Sequence, residues 1–260
     1  MSTALGTGPH GDRADGLFAE LRIAASFLTI LPILPRGRID DEQVAASFGW
    51  FPLIGFALGV ALCVADAILA HFFDLTLRSI LIVLSITIVT GALHLDGLAD
   101  TADALGAGRD RTRALEILRD SRIGTYGTAA IFFSLALKIV ALATLAGARR
   151  YAAIFAALGL SRWATVAVAE RLPYLRAQGA GSAMLADGRA PRNLWIASLT
   201  VMAATAPLVS RPMLGAALAA IAITVAVRAF YRRWLGGVTG DLIGACGEIV
   251  EIAVLIAFAR

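Results

Sequence analysis

The chain has 260 residues, of which 58% are hydrophobic and only 16% are charged, and its mean hydropathy is +0.77. This composition is too apolar for an ordinary soluble domain and predicts an integral membrane protein. The formal net charge is +4, but no platform of basic and aromatic residues accompanies it, so we expect no nucleic-acid partner.

Long apolar runs divide the chain into about seven membrane-spanning helices. Residues 1–15, rich in Gly, Ser and Thr, are predicted to form a disordered tail, and residues 16–260 a single integral-membrane domain. The segment 17–34 is a doubtful extra span, because Glu20 and Arg22 lie inside it; the alternative is a helix in the membrane interface. The fold class is therefore all-α, a polytopic transmembrane helical bundle. The predicted spans are 44–70, 79–95, 128–147, 150–169, 194–210, 213–231 and 242–259.

Three loops on one side of the predicted membrane carry most of the arginines outside the spans. They follow the second, fourth and sixth spans and include residues 96–125, 170–193 and 236–241. Because loops rich in Arg and Lys tend to stay in the cytoplasm, we expect these loops to be cytoplasmic.

A short stretch between the second and third spans holds the most informative pattern. Asp96, Asp100 and Asp103 are spaced by four and three residues, so a helix would place their carboxylates on one face. Like charges on one face repel each other unless a cation binds there. Arg119 and Arg122 follow, beside glycines whose N–H groups can contact an anion, which suits phosphate binding. Acids that bind Mg²⁺ beside arginines that bind phosphate indicate phosphoryl transfer at a membrane surface.

A second acidic face lies on the last span. A glycine-rich turn with Thr239 and Gly240 leads into it, and Asp241, Glu248 and Glu251 follow at helical spacing. The turn can bring backbone N–H groups close to an anion at a helix start. Glutamates at membrane depth need a partner or a wet cavity. The alternative to a functional site is a set of acids paired with arginines of a neighbouring helix.

Two cations are predicted to lie inside spans. Lys138 is the only lysine of the chain and falls in the middle of the third span. Its partner is either Glu248 or Glu251, in a structural pair, or a phosphate of the substrate. Arg162, in the fourth span, is expected to reach the same acidic cavity. For Asp66, in the first span, we favour a structural role.

These motifs resemble those of the cobalamin synthase family, the adenosylcobinamide-GDP ribazoletransferases. The resemblance extends over essentially the whole chain. The chain departs from the family pattern at Ile30, where family members often carry arginine. The motifs that carry it are residues 94–103, 119–125 and 236–241, with Glu248 and Glu251.

The resemblance implies a late step of vitamin B12 assembly in the bacterial inner membrane. Adenosylcobinamide-GDP would react with α-ribazole or its 5′-phosphate, giving adenosylcobalamin or its 5′-phosphate and GMP, with Mg²⁺ as the required cofactor. The partners it implies are these small molecules and the lipid bilayer. It leaves room for a homo-oligomer and for association with other late corrinoid enzymes.

The motifs and the resemblance together predict a site that both acidic segments form. The expected oxygen ligands for one or two Mg²⁺ ions are Asp96, Asp100, Asp103, Asp241 and Glu248. Glu251 completes the catalytic acids, and either it or Asp103 would take the proton of the attacking ribazole hydroxyl. The expected contacts to substrate phosphates are Arg119, Arg122, Lys138, Arg162, Thr239 and Gly240.

Two other functions compete with this prediction. A CDP-alcohol phosphotransferase also uses helical aspartates at a membrane face, but its usual Asp-Gly-x-x-Ala-Arg opening is not met, because this chain reads Asp-Gly-Leu-Ala-Asp over residues 96–100. A cation-coupled transporter would carry acids at the midplane of the membrane. Against it, most of the acids lie at the predicted cytoplasmic ends of spans. Release of GMP would distinguish the enzyme from the transporter.

Overall fold

The computed structural model describes residues 16–34, 39–120, 122–176 and 190–260. The predicted tail over residues 1–15 and part of the predicted loop 170–193 lie outside the described residues. In the described ranges the chain is helical, and the extended backbone forms only an isolated bridge between Tyr174 and Val238. The all-α prediction is confirmed.

The helices of the described ranges follow one another with short connections. Their bounds are α1 Leu17–Leu28, α2 Asp41–Ser47, α3 Phe51–Leu69, α4 Leu75–Val89, α5 Leu93–Leu105, α6 Arg111–Ile117, α7 Thr125–Ala143, α8 Gly147–Ala169, α9 Ala190–Thr205, α10 Arg211–Trp234 and α11 Gly240–Ala259. Single 3₁₀ turns at Phe48–Trp50 and Ala206–Leu208 extend α2 into α3 and end α9.

Five helical segments are long and apolar enough to cross a membrane: the continuous segment Asp41–Leu69, and α7, α8, α10 and α11. Helices α4 and α5 make a sixth if they count as one bent span. The predicted span 194–210 corresponds to α9, whose 16 residues fall short of the roughly 20 that a bilayer crossing takes. With 12 residues, α1 is shorter still, which favours the interfacial alternative for the segment 17–34.

A tight turn between α4 and α5 determines where the aspartates lie. Gly91 and Ala92 both have left-handed backbone, with φ of 58° and 56°. Glycine adopts this conformation freely, whereas for alanine it costs about 1–2 kcal/mol. The turn bends the chain by 87° between the two helices. The aspartate motif therefore lies on a helix of its own that runs across the end of α4.

Helices α8 and α11 form the centre of the bundle. Helix α8 packs against α3, α10 and α11, and α11 packs in addition against α5 and α7. Small residues let these helices approach closely. An added Cβ at Gly55 of α3, for example, would lie 2.4 Å from the carbonyl oxygen of Leu158 of α8. The acidic face of α11 is thus enclosed by α5, α7 and α8.

Candidate active site

Asp96 and Asp100 of α5 meet Asp241 where α5 crosses the first turn of α11. Gly97 permits this crossing, because an added Cβ would lie 2.7 Å from the carbonyl oxygen of Asp241. Asp100 interacts electrostatically with Asp96, Asp103 and Asp241, all of the same sign. We call Asp96, Asp100 and Asp241 the aspartate cluster. The helical spacing thus brings acids from two distant segments to one place.

The aspartate cluster holds more negative charge than its neighbours balance. Asp96 is exposed and Asp100 is half-buried, and in the part of the chain that the structure describes neither carboxylate has a hydrogen-bond or ion-pair partner. The Asp241 carboxylate accepts hydrogen bonds from the Arg176 guanidinium at 2.5 Å and from the Thr239 hydroxyl at 3.2 Å. Three carboxylates beside one guanidinium leave a net negative charge that suits a divalent cation.

The donors of the aspartate cluster fit Mg²⁺, which prefers oxygen ligands. Across the described ranges, no three side chains of His, Cys, Asp or Glu are grouped as a ready-made metal site. A Mg²⁺ ion usually binds through one or two carboxylates and takes its remaining ligands from water and substrate phosphates. A Mg²⁺ ion at this position would need such oxygens beside those of the cluster.

Asp103 lies next to the aspartate cluster but holds the start of α7. Its carboxylate accepts hydrogen bonds from the backbone N–H groups of Gly124 at 2.7 Å and Gly127 at 2.9 Å. A side chain at Gly127 would not fit, because an added Cβ would lie 2.4 Å from the Asp103 carboxylate. A carboxylate is favoured at a helix N-terminus, where backbone N–H groups have no helical partner. The glycines predicted to face a phosphate thus bind Asp103.

The two arginines predicted to bind phosphate extend into solvent. The Arg122 side chain is 87% exposed, and its guanidinium contacts Asp120 at 2.6 Å. This ion pair lowers the pKa of the Asp120 carboxyl below its usual value. Arg119 is also exposed. Phosphate binding by Arg119 and Arg122 stays a prediction.

A second group of charges is buried between α7, α8 and α11, and we call Lys138, Arg162, Glu248 and Glu251 the buried ion cluster. Lys138 Nζ lies 2.6 Å from Glu248 Oε1 and 2.7 Å from Glu251 Oε1. Arg162 Nη1 lies 2.8 Å from Glu251 Oε2, and the Ser134 hydroxyl donates to Glu248 at 2.5 Å. No side chain of the four is more than 6% exposed. Two cations and two anions neutralise each other, which buried charges require.

The pairing of Lys138 with Glu248 or Glu251 is confirmed, and it extends to both. Glu248 therefore lies among buried cations rather than with the acids of α5. The cavity beside the cluster has a volume of about 10 Å³, which is room for roughly one water molecule. Lys138 and Arg162 both line this small cavity, and their contact with a substrate phosphate stays a prediction.

The turn before α11 is held from both sides by hydrogen bonds. The Thr239 hydroxyl accepts from the Leu242 backbone N–H at 3.3 Å, so it caps the helix, and Thr239 is 1% exposed. The Tyr174 hydroxyl lies against Gly240, and burial raises the pKa of this phenol. Contact of Thr239 and Gly240 with a substrate phosphate stays a prediction.

Arg176 is the site residue that sequence reasoning missed. Among the described residues it is the basic residue that contacts the aspartate cluster, through Asp241. It belongs to a loop recognised only for its positive charge, and no sequence spacing links it to residue 241. The neighbouring Pro173-Tyr174 pair marks a turn but says nothing of what the turn contacts.

Comparisons with known proteins identify the family of the chain. Residues 20–259 match the family described as Cobalamin-5-phosphate synthase. The chain is 38% identical to the adenosylcobinamide-GDP ribazoletransferase of Syntrophobacter fumaroxidans, over 94% of this chain and 99% of that protein. It is 39% identical to that of Desulforamulus reducens, over 92% and 95%, and 38% identical to that of Azorhizobium caulinodans, over 94% and 96%. No solved structure matches the chain significantly.

Proposed function

Because the chain belongs to the cobalamin-5-phosphate synthase family, we propose that it joins adenosylcobinamide-GDP to α-ribazole, or to α-ribazole 5′-phosphate, and releases GMP. The chain is a membrane transferase of cobalamin biosynthesis. The observation that carries the proposed chemistry is the aspartate cluster, in which two carboxylates without a partner among the described residues lie beside a third at the start of α11.

The reaction breaks the phosphoanhydride bond of the diphosphate and forms a phosphate ester bond to ribazole. The ribazole hydroxyl oxygen forms a bond to the phosphorus attached to cobinamide, and the bond from that phosphorus to the bridging oxygen breaks. The bonding electron pair leaves with GMP, and the hydroxyl proton passes to a base. Both oxygens of Asp103 and of Glu251 are engaged. Asp96 and Asp100 have the free oxygens that proton transfer needs, so we assign the base to this pair.

Mg²⁺ is the cofactor that the aspartate cluster would hold, through oxygens of one or two of the carboxylates of Asp96, Asp100 and Asp241. When bound, it would offset the charge of the diphosphate and stabilise the leaving phosphate. Asp96 is exposed, so we infer that both substrates approach the cluster from its exposed side. Glu248, which was predicted as a further ligand, would instead keep Lys138 neutralised.

We place the aspartate cluster at the cytoplasmic face of the bacterial inner membrane. The support is the arginine-rich character of the loops on its side of the bundle, since such loops tend to remain in the cytoplasm. Arg109, Arg111, Arg232 and Arg233 all lie on this side and are exposed. A homo-oligomer, and association with other late corrinoid enzymes, stay predictions.

The test is GMP release by membranes that contain the protein, supplied with adenosylcobinamide-GDP, α-ribazole and Mg²⁺. We expect GMP and a corrinoid product in equal amounts, no reaction after Mg²⁺ is chelated, and no reaction with Asp96→Asn protein present at the same level in the membrane. Supplying α-ribazole 5′-phosphate in parallel identifies the preferred acceptor. Well-folded protein that released no GMP with either acceptor would contradict the proposal.

A further inference from the structure

Arg176 occupies an unusual position for a loop arginine. Its Nη2 group donates to the Asp241 carboxylate at 2.5 Å and to the carbonyl oxygen of Leu118 at 2.5 Å. Its side chain is 30% exposed, and its charge acts on Asp100 as well. Arg176 thus partly balances the aspartate cluster while it remains open to solvent.

The backbone beside Arg176 is fixed against the turn that precedes α11. The Leu175 N–H donates to the Val238 carbonyl at 2.8 Å, and the Val238 N–H donates to the Pro173 carbonyl at 2.9 Å. A side chain at Gly237 would not fit, because an added Cβ would lie 2.3 Å from the Pro173 carbonyl oxygen. The Cα of Arg176 is therefore held in place next to Asp241. Because the side chain is long and partly exposed, the guanidinium can move to another hydrogen-bond acceptor.

Mg²⁺ and Arg176 compete for the same carboxylate, if the proposed function holds. Two cations on one carboxylate repel each other, so a metal ion at Asp241 weakens the hold of Asp241 on the guanidinium. A released guanidinium has five N–H donors that need acceptors. The diphosphate of the substrate offers phosphate oxygens at this place, and guanidinium groups bind phosphate through paired hydrogen bonds.

We propose that Arg176 exchanges Asp241 for a phosphate oxygen of the nucleotide substrate when the metal ion binds, and that it thereby binds the diphosphate. This inference rests on the proposed function. It assigns to Arg176 the role that the sequence pattern suggested for Arg122, whose guanidinium is instead 87% exposed and paired with Asp120. Arg176 also acts as a counter-ion that holds Asp241 before the metal ion arrives.

The experiment measures binding of two ligands, adenosylcobinamide-GDP and adenosylcobinamide, to detergent-solubilised protein with Mg²⁺. The variants are Arg176→Gln and Arg176→Met, and the matched control is Arg171→Gln, because Arg171 lies on the same loop, is 75% exposed and contacts Glu170 at 3.4 Å. We expect loss of Arg176 to weaken adenosylcobinamide-GDP binding about 10- to 100-fold. Binding of adenosylcobinamide, which lacks the diphosphate, should not change.

A second measurement uses Mn²⁺ as a paramagnetic substitute for Mg²⁺, with no substrate present. Without the competing guanidinium, Mn²⁺ should bind the Arg176 variants more tightly than the wild type, and unchanged or lower Mn²⁺ affinity would contradict the competition between Arg176 and the metal ion for Asp241. Thermal unfolding identifies the variants that fold. Arg176→Lys, which lacks the planar guanidinium, replaces them if both neutral variants unfold, and it should still bind adenosylcobinamide-GDP more weakly than the wild type.

Equal affinity of a folded Arg176 variant and the wild type for adenosylcobinamide-GDP would overturn the inference. That outcome leaves the proposed function intact as long as the wild type releases GMP. If the wild type itself neither binds adenosylcobinamide-GDP nor releases GMP, it is the proposed function that fails.

Discussion

The aspartate cluster and the buried ion cluster both include acids of α11, and the first of these, Asp241 and Glu248, lie two turns apart. The two clusters differ in whether neighbouring side chains neutralise their charges. Glu248 and Glu251 are enclosed and matched by Lys138 and Arg162. The acids around Asp241 are partly open to solvent, and among the described residues one guanidinium, that of Arg176, offsets only part of their charge. Buried charge must be neutralised for the chain to fold, whereas an exposed excess of one sign can persist and bind a ligand.

A third group of charges, at the other end of the bundle, follows the rule of the buried ion cluster. Asp66 is fully buried and accepts hydrogen bonds from the Arg150 guanidinium at 3.0 Å and 2.7 Å, and Arg78 contacts the same carboxylate. Arg150 donates further to the Ser79 hydroxyl and to the Leu142 carbonyl. The structural role favoured for Asp66 agrees with these contacts. Acids whose charge is neutralised by neighbouring cations thus hold helices together, whereas acids whose charge is not neutralised are available for chemistry.

The largest effect on stability is expected from Glu251→Gln. The change leaves Lys138 and Arg162 with one anion between them in a buried site, which should lower the free energy of unfolding by about 3–5 kcal/mol. Unfolding in mixed micelles of increasing SDS content measures it. Glu116→Gln, on the exposed face of α6, is the control and should unfold like the wild type. An unchanged unfolding curve for Glu251→Gln would mean that the buried ion cluster does not stabilise the fold.

Asp100→Asn should show the opposite pattern. Removing one charge from the aspartate cluster weakens metal binding, so GMP release should fall by about 100-fold or more. The melting temperature should be unchanged or higher, because repulsion between like charges is relieved. The control is Asp120→Asn, which lies outside the cluster and should retain wild-type turnover. A large loss of stability with Asp100→Asn would mean that the aspartate cluster, like the buried ion cluster, stabilises the fold.

A double substitution sharpens the comparison further. Lys138→Met and Glu248→Met should each destabilise the protein, because each leaves a buried charge unbalanced. The double variant removes one charge of each sign and should unfold within about 2 kcal/mol of the wild type. A double-mutant cycle on the unfolding free energies reports the coupling between the two residues. Additive losses would show that the two charges do not act as a pair.

The smallest effect is expected from Asp103→Ala. It removes the acceptor of two backbone N–H groups at the start of α7, which should lower the free energy of unfolding by about 1 kcal/mol. Turnover should fall modestly, since α5 loses one of its ties to α7. If turnover instead fell 100-fold at unchanged stability, Asp103 would belong with the metal ligands rather than with the helix caps.

Several features of the site could be predicted because they depend on local spacing. Asp96 and Asp100 share a helical face because residues three and four apart are neighbours on any α-helix. Lys138 pairs with Glu248 and Glu251 because an isolated charge at membrane depth requires a partner, and few partners were available. The position of this ion pairing relative to the aspartate cluster was not predictable, since it depends on how α7 and α11 pack.

Other features carried no local signal. The 87° bend requires a left-handed alanine at residue 92, which surrounding packing imposes against its own preference. Asp103 binds the glycines predicted to face phosphate because α5 and α7 lie side by side. Arg176 reaches Asp241 across 65 residues of sequence. Each of these depends on contacts between distant segments.

By itself, the amino-acid sequence determined the membrane location, the helical class, the family and the set of acids that includes the site. Hydropathy and helical periodicity suffice for this, because they depend on neighbours along the chain. Only the tertiary structure divided those acids: it neutralised Glu248 and Glu251 and gave Asp96 and Asp100 no partner within the described ranges. The physical reason is that charge compensation depends on which side chains meet in space, and that is settled by the packing of α5, α7 and α8 around α11.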